Sequence, residues 1–466
     1  MGVLSRTETG PVLERRRVVS WAAVFVLGVW AVMTGADCWF VATYGRNCPY
    51  ADEWAMVPWL CGRGKVTAEW IFYLHNEHRI PLVRLVLLGL YRVTHMNFVA
   101  GAYMNAAILS GASLLFIDAA RRSRGEVAWT DAIFPAMLLS WIHCENLLSG
   151  WQAQYTLAIG LSAIYLWLVM RLGRLNRWRF LAPGLSLVAL AGCGANGVLL
   201  AFFLGASLLF LSRKDTVVWV GCLALAALLI FLRPGPSGGG AEPERTAEGL
   251  ARNAAGFLGA SMGPAFCPAV APYGVRLPLI LPDTYLGTLA RVWPIFAVLG
   301  VVACILGAVA AVRNTGGKVP ALCFWLSGLA TLGALTWTRR VGWEVFDRPE
   351  TLRMLTTRYA LLLSPIPLGA YLLCDVVGFA RARRFLAVVA IIAAILAFPA
   401  GTWTASRRSA AIDSFLADAL AMQSTDAATL HASRLDLKDA FGLGDSMRLL
   451  RDHRHPSFVG IPAGNR

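Results

Sequence analysis

The sequence predicts an all-α membrane protein: a polytopic helical bundle of about 11 transmembrane helices, with interfacial helices in its first outer loop. Three observations carry this. The 466 residues are 57% hydrophobic and only 15% charged, with mean hydropathy +0.59. A soluble domain carries about 25% charged residues. Apolar runs recur at close to the roughly 20 residues that cross a bilayer. The basic residues gather in short clusters between those runs, where Lys and Arg set orientation.

The same clusters exclude a nucleic-acid reading of the net charge of +15. The ten cysteines do not make a disulfide scaffold in a chain this long, and most lie in apolar runs as small fillers. No cleavable signal peptide is expected, because Trp21–Val41 is too long for an h-region and no small-residue cleavage site follows it.

Residues 1–20 are polar and end in Arg15, Arg16 and Arg17, which predicts a cytoplasmic N-terminus. Residues 21–403 form the transmembrane domain. Its first span is 21–41, followed by an outer loop over 42–97. Within that loop Pro81–His95 is apolar but short and carries Arg84 and Arg92. That makes it a poor span and predicts an interfacial or re-entrant helix. Further spans are expected at 98–117, 132–149, 153–170, 180–195, 197–211, 217–232, 292–312, 319–337, 359–377 and 385–403. Outer loops fill 233–291 and 338–358. With this parity the basic clusters at 121–124, 171–179, 213–214 and 381–384 all fall inside. If 81–95 also crossed, every one of them would be outside. The polar tail, 404–466, is then extracytoplasmic. Its run Ala410–Met422 puts Ile412, Phe415, Leu416 and Leu420 on one helical face, predicted to dock on the outer loops.

The first outer loop concentrates ionisable groups. It holds the adjacent acids Asp52 and Glu53, then His75, Asn76, Glu77, His78 and Arg79. Helix capping explains one acid of the pair. It does not explain the second cluster. His75 and His78, with Glu77 between them, could ligate a divalent ion. The spacing is not that of HExxH and no further ligand set accompanies it. No cofactor is expected, with a divalent metal left open. His78 and Arg79 could equally bind a phosphate or a sugar hydroxyl.

Other polar groups reach the same level of the membrane: Asp37, His143, Glu145, Asn146, Gln152 and Gln154. Acids inside spans are costly and usually line a cavity or pathway. The plainer alternative is that Glu145 and His143 pair to fix helix packing. The loop 338–358 carries Arg339, Arg340, Arg348, Arg353 and Arg358. It reads either as a surface touching anionic lipid or as a grip on a lipid-linked phosphate. Arg358, next to Tyr359 at the mouth of a span, is best placed for the grip. Cys48 and Cys61 bracket the acid pair and could close the loop as a disulfide.

This order of parts resembles the GT-C superfamily of membrane glycosyltransferases, which use polyprenol-phosphate sugars. The resemblance lies in the acid pair Asp52-Glu53 soon after span 1, Pro81-Leu82 before span 2, and Arg358-Tyr359 ahead of a late span. The segment from Glu145 to Gln152 is similar to a pattern in bacterial relatives. The segment before span 2 departs from His-Pro-Pro-Leu, reading His-Arg-Ile-Pro-Leu. The resemblance implies transfer of a sugar from a polyprenyl monophosphate to an envelope glycan, lipid or protein on the outer face of the cytoplasmic membrane. It implies Asp52 as general base, with Glu53, His78 and Glu145 supporting and Arg358 holding the phosphate. His75, Arg79, His143, Gln152 and Tyr359 would line the substrate site. The alternatives are a transporter or flippase for lipid-linked or anionic solutes, and a polymerase or ligase of lipid-linked glycans.

Overall fold

The computed structural model describes residues 20–75, 79–172, 181–211, 246–263, 283–313, 318–338, 358–421 and 443–460. Helices joined by turns make up these residues, with no strand element among them. The chain is an α-helical multi-pass membrane protein: seven helical stretches are long and apolar enough to cross a bilayer.

α1 (Trp21–Tyr44) is the first of these. It is followed by a 3-10 turn at Ala51–Met56, then α2 (Val57–Leu60), α3 (Ala68–Ile71) and α4 (Pro81–Val93). α4 is amphipathic and buries Val83, Leu87, Leu88 and Tyr91 while Leu85 and Val93 stay exposed. Its buried Arg84 donates to the carbonyls of Trp70 (2.6 Å) and Tyr73 (2.6 Å), and so satisfies the end of α3.

α5 (Val99–Arg124) is the second long span. Gly125, in the left-handed region at φ 93, ends it. The sequence predicts a single helix over 132–149, and the structure corrects this. The segment is a series of short pieces: a 3-10 turn at Trp129–Ala132, α6 (Ile133–Leu138), a turn at Trp141–His143, α7 (Cys144–Leu148) and a turn at Gly150–Gln152. Nearly all of it is buried inside protein. Broken backbone at membrane depth is tolerated where it is buried in protein or lines a water-filled cavity.

α8 (Ala153–Leu172) follows. Gly101 lies against Gly150, Asn105 against Thr156, and Asp118 against Trp167. α5 and α8 therefore run side by side in the same direction. The broken segment between them must return the chain through the bundle.

α9 (Leu181–Ala191) and α10 (Ala195–Leu211) are shorter apolar helices. The expected span at 217–232 lies outside the described residues. The predicted loop 233–291 instead contains α11 (Ala247–Met262), capped where Thr246 Oγ1 accepts from Gly249 N at 3.1 Å. α11 packs on α12 (Asp283–Val312), which starts nine residues before the expected 292. α13 (Val319–Thr338), α14 (Arg358–Leu363) and α15 (Pro365–Val376) match the predicted spans within a few residues.

α16 (Ala380–Ala421) has 42 residues and is about 60 Å long. That is about twice the hydrocarbon core. It therefore does not stop near 403 but carries its last turns onto the first loop. Ser409 Oγ donates to Tyr44 O (2.7 Å), and Arg46 forms a two-point ion pair with Asp413 (2.7 and 2.9 Å). Ile412, Phe415 and Leu416 face a second apolar core with Trp54, Tyr91 and Trp151. Leu420 lies where side chains are not described. α17 (Leu443–Asp452) and the turns after it complete this core through Met447, Leu450 and Phe458.

At the other end of the bundle Arg124 donates to Asp131 (2.5 Å) and Asp375 (2.5 Å), and Arg383 also donates to Asp375. Tyr371 Oη donates to Asp131 (2.7 Å). Both carboxylate side chains are fully buried. This network joins α5, the broken segment, α15 and α16.

One of the polar contacts that dock 443–460 uses a neutral imidazole. His455 Nε2 donates to Met96 O (3.0 Å), and its Nδ1 accepts from Ser457 N (3.3 Å). A second ring proton would oppose the Ser457 donor. Burial holds His455 below its ordinary value of 6.5. A lowered histidine contributes stability that is full above about pH 6.5 and is lost as pH falls through the folded value. Amide exchange in 443–460, corrected for intrinsic rate, should be slow at pH 7.5 and accelerate below about pH 6. Equal protection at pH 5 would contradict this role.

Candidate functional site

The turn that carries Asp52 and Glu53 is unusual in its backbone. Ala51 sits at φ 49, in the left-handed region that costs a non-glycine residue about 1 kcal/mol. The two acids beside it have different surroundings. Glu53 is 2% exposed. Its Oε1 accepts from Tyr91 Oη (2.9 Å) and Trp151 N (3.2 Å), and its Oε2 accepts from Tyr50 N (3.0 Å). Burial raises its pKa, opposed by those bonds and by the charge of Arg408. The adjacent acid Asp52 is not its source. The cause is desolvation. Gly150 permits this arrangement: a Cβ there would collide with Tyr91 Oη and lie 2.9 Å from Glu53 Oε1. Glu53 thus ties the acid turn to α4 and to the turn before α8.

Asp52 points elsewhere. Its side chain is 29% exposed, and its Oδ2 lies 3.2 Å from His75 Nε2. The His75 ring, itself buried, packs edge-on against Trp151 at 4.7 Å between centroids. Across the site Arg358 pairs with Glu145 at 3.5 Å. Its backbone N donates to Glu145 Oε2 (3.4 Å), and Asn146 Nδ2 donates to its carbonyl (3.3 Å). Asp52, Glu145 and Tyr155 all lie within electrostatic reach of Arg358. The first loop, α7, the turn at 150–152, α8 and α14 therefore meet at one place. A part-exposed carboxylate, a histidine and a guanidinium converge there.

The other expected site residues are distributed as follows. Gln152 is buried in the wall beside Trp151. Tyr359 packs into the bundle against Phe257, 5.9 Å between ring centres, with the Arg358 guanidinium 5.2 Å from its ring. Arg79 is buried. His78 and Glu77 lie outside the described residues, as does the loop 339–357. His143 and Glu145 do not pair with each other. His143 Nε2 donates to Met137 O (2.7 Å), inside the bundle, while Glu145 turns to Arg358. Asp37 is fully buried, accepting from Trp141 Nε1 (3.1 Å). Among the described residues no group of three His, Cys, Asp or Glu is placed to hold a metal ion.

Cys48 and Cys61 are both free. Cys48 Sγ faces Pro49 O (3.4 Å), and Cys61 Sγ faces Met96 Sδ (3.8 Å). Apolar packing and the Glu53 bonds hold the loop instead of a bridge. Burial pushes the Cys61 thiol up to about 11 and the Cys48 thiol higher still. Alkylation of the denatured, unreduced chain should recover both as unlinked thiols. A peptide linking 48 to 61 would contradict the structure.

Tyr91, Trp151 and Asn105 were not anticipated. Asn105 carries a sequence signal, as an amide in the middle of an apolar span. Trp151 lies in the Glu145–Gln152 segment but as an aromatic carried no charge to mark it. No family model matches the chain, and no curated protein or solved structure matches it.

Proposed function

We propose that the chain is a membrane glycosyltransferase that moves a sugar from a polyprenyl monophosphate to an envelope acceptor at the outer face of the cytoplasmic membrane. One observation supports this above the others: a partly exposed Asp52 held by His75, within reach of an arginine at the mouth of a span. In this reading the bundle has about 11 crossings, the N-terminus is cytoplasmic, and the acid loop and tail are outside. A lipid donor presents its phosphate at headgroup depth, level with Arg358. Asp52 takes the proton of the acceptor hydroxyl as it attacks the anomeric carbon. The bond to the phosphate oxygen breaks on the opposite face, which inverts the centre. Arg358 offsets charge on the departing phosphate. Glu145 orients Arg358, and His75 orients Asp52.

The transporter reading needs a path that opens at both ends. The buried network of Arg124, Asp131, Asp375 and Arg383 ties the far end together, which favours a one-sided site. The test uses proteoliposomes holding the full chain, radiolabelled polyprenyl monophosphate sugars and an envelope extract. Label leaving the lipid, with free polyprenyl monophosphate released, supports the transferase. Intact donor carried across the membrane supports the transporter.

A further inference from the structure

Among the described residues, four polar atoms in the wall of this site are enclosed and have no hydrogen-bond partner: Asn146 Oδ1, Trp151 Nε1, Gln152 Oε1 and Arg358 Nε. Folded proteins leave few such atoms, because each one costs free energy comparable to a lost hydrogen bond. Here three belong to the 146–152 turn and the fourth to Arg358, whose backbone that turn holds. Asn146 Nδ2 is bonded to Arg358 O (3.3 Å), which fixes the amide so that its oxygen is the atom left over. Gln152 follows Trp151, whose ring lies against His75.

The segment that presents them is held rigidly. Asn105 Nδ2 donates to Asn146 O (2.9 Å) and to Ser149 O (2.8 Å), while Thr156 Oγ1 donates to Asn105 Oδ1 (2.7 Å). One buried amide in α5 thus clamps the turn from both sides. A span polar group spent on backbone carbonyls in this way preorganises the wall.

We propose that the 146–152 turn recognises the sugar of the lipid-linked substrate, and that this sugar is neutral and rich in hydroxyls. The inference rests on the glycosyltransferase reading above. Its chemistry is specific. Amide oxygens need donors, whereas an indole N–H and a guanidinium N–H need acceptors. Hydroxyl groups supply both. A uronic acid would bring a third carboxylate beside Asp52 and Glu145, with Arg358 already paired to Glu145. Arg358, which takes the phosphate in the reading above, would then also meet the sugar's phosphate end.

The experiment measures binding to the full chain in nanodiscs. The probes are bare polyprenyl monophosphate, its arabinosyl, mannosyl and glucosyl derivatives, and its glucuronosyl derivative. Wild type should bind at least one neutral derivative about tenfold or more tighter than the bare phosphate, and the glucuronosyl derivative no tighter than the bare phosphate. Asn146→Ala and Gln152→Ala should each reduce that preference by about tenfold. The affinity of Gln152→Ala for bare phosphate should stay within about twofold, which also shows that it folds. Variants that keep the wild-type preference, or lose bare-phosphate binding equally, overturn the wall. Wild type that binds bare phosphate with no sugar preference, or prefers the uronic acid, overturns it too and leaves the phosphate reading intact. Wild type that binds none of the probes overturns both.

Discussion

Asp52→Asn should give a folded, membrane-inserted chain with almost no sugar transfer. Loss of a general base typically costs about 10²–10⁴ in rate. Asparagine keeps the shape of the side chain, and its amide can still lie beside His75 Nε2, so the loop has no reason to move. The adjacent acid should respond differently. Glu53→Gln replaces a buried carboxylate that accepts three hydrogen bonds. An amide oxygen cannot take all three, and its NH₂ would face the Tyr50 or Trp151 amide. That change should lower stability and loosen the turn, with activity per folded molecule falling less than in Asp52→Asn. The check is transfer of radiolabelled sugar normalised to folded protein by size exclusion. Full activity in Asp52→Asn would remove Asp52 from the chemistry. Full activity in both variants would sink the mechanism.

Arg124→Ala should be the most damaging single change to stability. Arg124 is 12% exposed and bridges two carboxylates that are fully buried. Removing one partner of a buried pair costs about 3–5 kcal/mol, because a buried charge is left uncompensated. Arg383 would still serve Asp375, but Asp131 would keep only Tyr371 and the Ala128 amide. Denaturant or thermal unfolding in nanodiscs measures the loss. A change below about 1 kcal/mol would mean that water already solvates this end. The far end is remote from Asp52, so transfer per folded molecule should be nearly unchanged. A transporter would instead lose or leak its cargo when this end is loosened.

The long spans were legible because length and hydropathy decide them. α1, α5, α8, α13 and the run from α14 to α15 begin and end within a few residues of expectation, apart from the extensions of α5 and α1. The broken segment was not legible. Ile133–Leu148 is apolar enough to read as one span, and only its burial on all sides allows the backbone to leave the helix. α11 was hidden for the opposite reason. Its flanking Gly and Pro outweighed a modest apolar face that matters only once α12 and α13 lie against it. At the site, Asp52, Glu145 and Arg358 were legible as charges in an apolar chain. The division of labour between Asp52 and Glu53 was not, since it follows from Tyr91, Gly150 and Trp151 closing around one acid and leaving the other open. The proposed disulfide rested on spacing alone, whereas each thiol is taken up by its own pocket.

An experimental structure of the chain with a polyprenyl monophosphate sugar bound would test the transferase mechanism most directly. The phosphate should lie against Arg358, the sugar beside Trp151, and its anomeric carbon on the side facing Asp52, with the far end of the bundle closed around Arg124. Phosphate density away from Arg358, or a ligand lodged in a passage that runs through the bundle past Asp131 and Asp375, would contradict it.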